Sequence, residues 1–125
     1  MDTQPLYAIK AELFKSLAHP VRIQVLEVLA ADADLTAPVS RLQTVTGSEP
    51  SALSQHLAVL KRAGVVTSAR TGNAVVYSLS RPLVAELLVV ARAFLRETLS
   101  ASGAQLAATD DLPPLSEGHA GGGGS

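Results

Sequence analysis

The hydrophobic period of this chain changes at Gly64, and that change restricts the fold more than any other feature. Before Gly64 the apolar residues recur at helical spacing. After it, "VVTSAR" and "VVYSL" follow a period of two around "TGNA", and from Pro82 the helical spacing returns. Two β-branched runs flanking a glycine and an asparagine predict a hairpin, with Gly72 and Asn73 supplying the positive-φ positions of its turn. Aromatic residues make up only 3% of a chain that is 47% hydrophobic, so the core has to be built from Leu, Val, Ile and Ala, a mix that suits packed helices. The expected fold is mainly α with one β-hairpin, in the order α-α-α-α-β-β-α.

Leu6, Ile9, Leu13, Phe14 and Leu17 set out a first amphipathic helix. His19-Pro20 then ends one helix and starts another, because proline disfavours helical geometry in the residue before it yet fits the first turn of its own helix. The second helix, Pro20 to Ala31, carries Ile23, Val25, Leu26, Val28 and Leu29, a stripe broad enough to be central. "ADADLTAPVS" reads as a polar connection, after which Pro38 opens a short helix with Val39, Leu42 and Val45 inward and Gly47 as its stop. Ser48 or Glu49 caps the next helix, Pro50 fits its first turn, Leu53, Leu57 and Leu60 form its buried face, and Gly64 ends it. The last helix, Pro82 to about Ala101, is apolar over so much of its circumference that a second subunit is expected to cover part of it. Residues 1–100 therefore form one domain, and residues 101–125, acidic, glycine-rich and ending in "GGGGS", are expected to be a disordered tail.

With no cysteine, disulfides, thiolate metal sites and thiol redox sensing are excluded. The start "MDTQPLYAIKAELFK" lacks the basic and apolar regions of a signal peptide, and no run reaches the length of a membrane span, so a cytoplasmic protein with no membrane partner is expected. The formal net charge of −1 hides an uneven distribution. Between residues 41 and 81 lie Arg41, Lys61, Arg62, Arg70 and Arg81 against Glu49 alone, whereas the tail holds Asp110, Asp111 and Glu117 with no base. A local basic surface is what phosphate contact requires.

On a helical wheel at roughly 100° per residue, Leu57 and Leu60 fall within about 40° of Leu53. Ser51, Gln55, Ala58 and Arg62 lie near the opposite pole, with Ser54 and Lys61 flanking. Serine and glutamine reach base edges, small residues such as Ala52 permit close approach, and lysine and arginine anchor phosphates. The preceding helix and tight turn make residues 49–63 the second helix of a helix-turn-helix, the element that enters the major groove of double-stranded DNA. The hairpin at residues 65–79 becomes a wing with Arg70 and Asn73 near its tip, and the architecture is a winged helix-turn-helix.

"LFKSLAHPVRIQVLEVL", "SALSQHLAVLKRAGVV" and "RTGNAVVYSL" resemble the ArsR/SmtB family of bacterial winged-helix repressors over about Leu13 to Phe94, with Gln55 where many members have histidine. The resemblance implies a homodimer joined by its first and last helices, through Leu6, Ile9, Leu13, Leu87, Leu88, Ala91 and Leu95. It also implies an operator of twofold symmetry. The family's C-x-C metal site is missing, since Pro38 and Ser40 stand there, and the last helix offers only Glu86 and Glu97 where other members place Asp and His ligands. No metal or cofactor is expected, and the effector is left unidentified.

His19, where many members have aspartate before the proline, is expected to cap or pack; His56, about 60° off the leucine seam, to form a partly buried hydrogen bond; His119 falls in the tail. No G-x-S-x-G, phosphate-binding glycine loop or H-E-x-x-H supports an enzyme. A winged-helix protein-interaction module and a metal-responsive repressor with a non-cysteine site are the alternative readings.

Overall fold

The computed structural model describes residues 4–100, so the expected tail, with His119, lies outside the described residues. Its elements are α1 (Gln4–Leu17), α2 (Pro20–Ala31), β1 (Thr36–Pro38), α3 (Val39–Thr46), α4 (Pro50–Arg62), β2 (Val66–Thr71), β3 (Ala74–Leu79) and α5 (Pro82–Leu99). Each predicted helix is present and the hairpin stands where the period changes.

Helix α2 is the axis of the domain. Val25 to Ala30 are buried without interruption, and α3, α4, α5 and the sheet pack around them. The core is aliphatic throughout: Leu26, Leu29, Leu42, Leu53 and Leu60 are its largest fully buried side chains. His19 starts α2 as expected. Its extended backbone frees the ring to accept the Val21 N–H at Nδ1, 3.0 Å away, while Pro20 occupies the first turn.

The polar connection is not all loop. Thr36 to Pro38 form β1, an edge strand antiparallel to β3, in a three-stranded sheet of order β1-β3-β2. Pro38 therefore ends a strand and occupies the N-cap position of α3, where its missing N–H costs no ladder bond. The Asp32 carboxylate accepts the Asp34 and Thr36 N–H groups, and Leu35 takes a left-handed φ of 61° at the bend. Three further expectations need correction. Val45 is exposed, because α3 presents only Leu42 fully to the core. Asn73 does not share the positive φ of Gly72; the two-residue loop requires it only at its first central position, as in a type II′ turn. Leu88, expected between subunits, is 5% exposed and belongs to this chain's own core.

A buried ion pair crosses the core. Glu27 of α2, flanked by buried aliphatic residues, accepts a hydrogen bond from Arg92 Nη2 of α5 at 2.7 Å. Burial pushes the Glu27 carboxyl above its ordinary range, against the opposing pull of Arg92. Removing one partner leaves a charge or polar group buried and uncompensated, whereas removing both need not destabilise the fold. Arg92→Met should therefore cost about 3–5 kcal/mol in denaturant unfolding, and Glu27→Met/Arg92→Met should recover most of it. Because burial raises the Glu27 carboxyl above its ordinary range, it takes up a proton more readily in the fold than in the unfolded chain, so the Arg92→Met deficit should shrink as the pH is lowered towards the carboxylate range.

Candidate nucleic-acid interface

Helix α3, a three-residue span of Gly47, Ser48 and Glu49, and helix α4 make the helix-turn-helix. Gly47 adopts φ 66° after the last turn of α3, and its N–H bonds to the Gln43 carbonyl. The Gln43 side chain donates to the Ser48 carbonyl at 2.7 Å, and Thr46 Oγ accepts the Ser48 N–H at 3.3 Å. These contacts fix the angle between the two helices by satisfying backbone groups that a helix end leaves open. Glu49 takes the N-cap position of α4 with extended backbone, without a capping bond from its side chain.

Helix α4 divides as the wheel predicts. Leu53, Leu57 and Leu60 are buried, while Ser51, Ala52, Ser54, Gln55, Lys61 and Arg62 are exposed. Ser51, Ala52, Ser54 and Gln55 form one exposed row of small and hydrogen-bonding side chains near the start of the helix. Ser54 and Asn73 both line a cleft of about 740 Å³ between α3, α4 and the hairpin, so the turn of the wing stands beside the exposed row. Arg70 lies on the face of β2 that also carries Val66 and Ser68, paired across the ladder with Val75.

Lys61 and Arg62 are exposed at the C-terminal end of α4, and each also meets another element. Lys61 Nζ donates to Ser68 Oγ of β2 at 2.8 Å, so it ties α4 to the wing. Ser68 is a polar residue on the side of β2 that begins with buried Val66, and that alternation is the one sequence signal for the contact. Arg62 lines a separate groove of about 800 Å³ between α1, α2 and α4, shared with Ile9, Glu12, Lys15, Arg22 and Val59.

His56 is half-buried on the flank of α4. Its Nδ1 accepts from Arg22 Nε of α2 at 3.2 Å, its ring lies 4.2 Å from that of His19, and Arg22 Nη1 donates to the Ser16 carbonyl at 3.0 Å. The sequence places His56 near the seam but gives no sign of Arg22, which comes from another helix. Both rings use Nδ1 as an acceptor, which leaves the proton on Nε2 of each and makes the pair a poor metal chelate. Among the described residues no three His, Asp or Glu side chains converge, and Glu86 and Glu97 are both exposed on α5. No helix of the described residues is long and apolar enough to cross a membrane.

Burial lowers the His56 pKa from its ordinary 6.5, and the neighbouring His19 and Arg22 act in the same direction. With the folded value below the unfolded one, the stability His56 contributes is full above about 6.5 and is lost as the pH falls through the folded value. Thermal unfolding followed from about pH 7.5 down to about pH 5 should show this acid-side decline in the parent protein and a shallower one in His56→Gln.

Residues 17–69 match a family model described as a helix-turn-helix domain. Over 100 residues the chain is 50% identical to Rv0081 of Mycobacterium tuberculosis, an uncharacterised HTH-type transcriptional regulator, covering 80% of this chain and 86% of that one. It is 34% identical over 74 residues to the HTH-type transcriptional regulator YgaV of Escherichia coli, covering 59% of this chain and 73% of the relative. The crystal structure of Rv0081 matches with a TM-score of 0.72 over 78% of this chain and 96% of that chain. The homodimeric winged helix-turn-helix DNA-binding domain Mb0332 from Mycobacterium bovis, a possible ArsR-family regulator, matches at 29% identity with a TM-score of 0.69, over 78% of this chain and 87% of that chain.

Proposed function

Because this chain belongs to the ArsR family of winged helix-turn-helix transcriptional regulators, we propose that it is a homodimeric repressor of a twofold-symmetric operator, acting in the cytoplasm. Transcriptional regulation through a DNA-binding fold is the family's function, and its members are not enzymes. The observation that carries the reading is the division of α4. A helix anchored by Leu53, Leu57 and Leu60 exposes Ser51, Ala52, Ser54 and Gln55 together, beside a wing carrying Arg70 and Asn73. In the proposed complex that row reads base edges in the major groove, and Arg70 and Asn73 contact the flanking backbone or minor groove. Arg62 contacts phosphate from the end of α4. Lys61 serves chiefly by holding the wing.

Dimerisation uses the outer faces of α1 and α5. Leu6 and Ile9 are more than half exposed, as are Tyr7, Phe14, Leu83, Val90 and Phe94, and Leu95 and Ala91 are exposed beside them. Two helices presenting this much apolar surface fit a self-complementary interface. Leu13 and Leu87 are half-buried against the core and contribute only their outer edges. The effector is not a thiolate-bound metal, since the chain has no cysteine.

Gln55→Ala should lower the preference for the native promoter over random DNA by roughly 1–3 kcal/mol in competition binding. Arg70→Ala should weaken both complexes alike and reduce the slope of log K against log salt by about one. An unchanged footprint for Gln55→Ala would refute the recognition row. Leu95→Glu, at an exposed position, should leave the protomer folded, yield monomers in sedimentation and lose operator affinity, because two half-sites must be held in register.

A further inference from the structure

The groove between α1, α2 and α4 has no part in the recognition row. Its volume of about 800 Å³ falls within the range of small-molecule sites. Val59 and Ala63 give it an apolar wall, with Ile9 of the proposed α1 dimer face at its rim, while Lys15, Arg22 and Arg62 face it against Glu12 alone. None of these four charged groups is ion-paired within the described residues, where the one salt bridge joins Arg92 to Glu27. Arg22 is held rather than free to swing. Its Nε and Nη1 are fixed on His56 and the Ser16 carbonyl, and Nη2 has no acceptor among the described residues.

We propose that this groove is the effector site of the regulator and takes a small amphipathic carboxylate. Its carboxylate group is held by Arg22 and Lys15, and its apolar body lies along Val59 and Ala63. Charge complementarity selects this occupant over a second copy of the chain. The apolar face of another α5 would strip water from three cations without compensating them, which is costly. A carboxylate compensates them with charge-assisted hydrogen bonds.

The role as effector, though not the binding itself, rests on the DNA-binding reading given above. Two routes connect the groove to DNA. Arg62, a phosphate contact in that reading, also faces the groove, so a bound anion offsets its charge. Arg22, which the ligand engages, is hydrogen-bonded to His56 on the recognition helix itself. Ligand and operator therefore oppose each other's binding, and the coupling is reciprocal.

The test uses the full chain with decanoate as the probe, 1-decanol as its uncharged counterpart, and a duplex from upstream of the protein's own gene. Calorimetry should show saturable decanoate binding, with decanol about tenfold weaker or worse. Lys15→Leu, at an exposed position, should weaken decanoate about tenfold, and Val59→Trp should abolish its binding by filling the groove. Saturating decanoate should lower promoter affinity of the parent protein about tenfold and leave that of Val59→Trp unchanged. Equal binding of decanoate and decanol, or decanoate binding insensitive to both variants, would overturn the site. So would a protein that binds the promoter but takes up no decanoate, the outcome expected if a partner helix fills the groove. Variant-sensitive decanoate binding by a protein with no affinity for DNA would instead overturn the regulatory reading and leave the site standing.

Discussion

The burial of the second half of α2 on every side is the constraint from which the rest of the domain follows. Six consecutive residues, Val25 to Ala30, have no access to solvent sufficient to define an outer face. A helix in that position cannot be amphipathic, so it cannot choose its neighbours by one stripe; the surrounding elements must each supply an apolar face of their own. Helices α3 and α4 do so with Leu42 and with Leu53, Leu57 and Leu60, β2 with Val66, β3 with Leu79, and α5 with Leu88. Glu27 is the one charged member of the buried run, and Arg92 must reach it for the arrangement to close. The helix proposed to join subunits is thereby fastened to the centre of its own protomer.

The same principle separates the two tasks of α4. Its leucines are committed to the core, so its remaining circumference is free to be polar without cost to stability. The exposed row near Ser51 and Gln55 faces outward, and His56 marks the flank where the helix meets α2 through Arg22. Small residues in the row keep the helix surface low, which is what allows a groove-binding helix to approach base edges closely.

Much of this can be read directly from the residues, and the parts that cannot share a cause. Helix positions follow from periods and from local punctuation by His19-Pro20, Gly47 and Gly64, all of which act over a few residues. The β1 strand is three residues long, too short for alternation to be visible, and it exists because β3 offers it a partner some forty positions later. Leu88 and Leu95 are the same residue type on the same helix, yet one faces α2 and the other faces outward; the distinction comes from packing, not from composition. The Arg22–His56, Lys61–Ser68 and Arg92–Glu27 contacts each join separate elements, and sequence spacing carries no record of such pairings.

The Lys61–Ser68 bond has a bearing on the duplex as well as on the protein. It links the end of α4 to the wing, in addition to the backbone contacts from Val65 to Leu60 and Ser80. In the proposed complex, α4 and the wing then act together as the two jaws of a caliper. A duplex touched by both must set the distance between its major groove and the neighbouring backbone to match that opening. Sequences differ in how readily they adopt a given groove width, so in that complex even base pairs that no side chain reaches are discriminated by their stiffness.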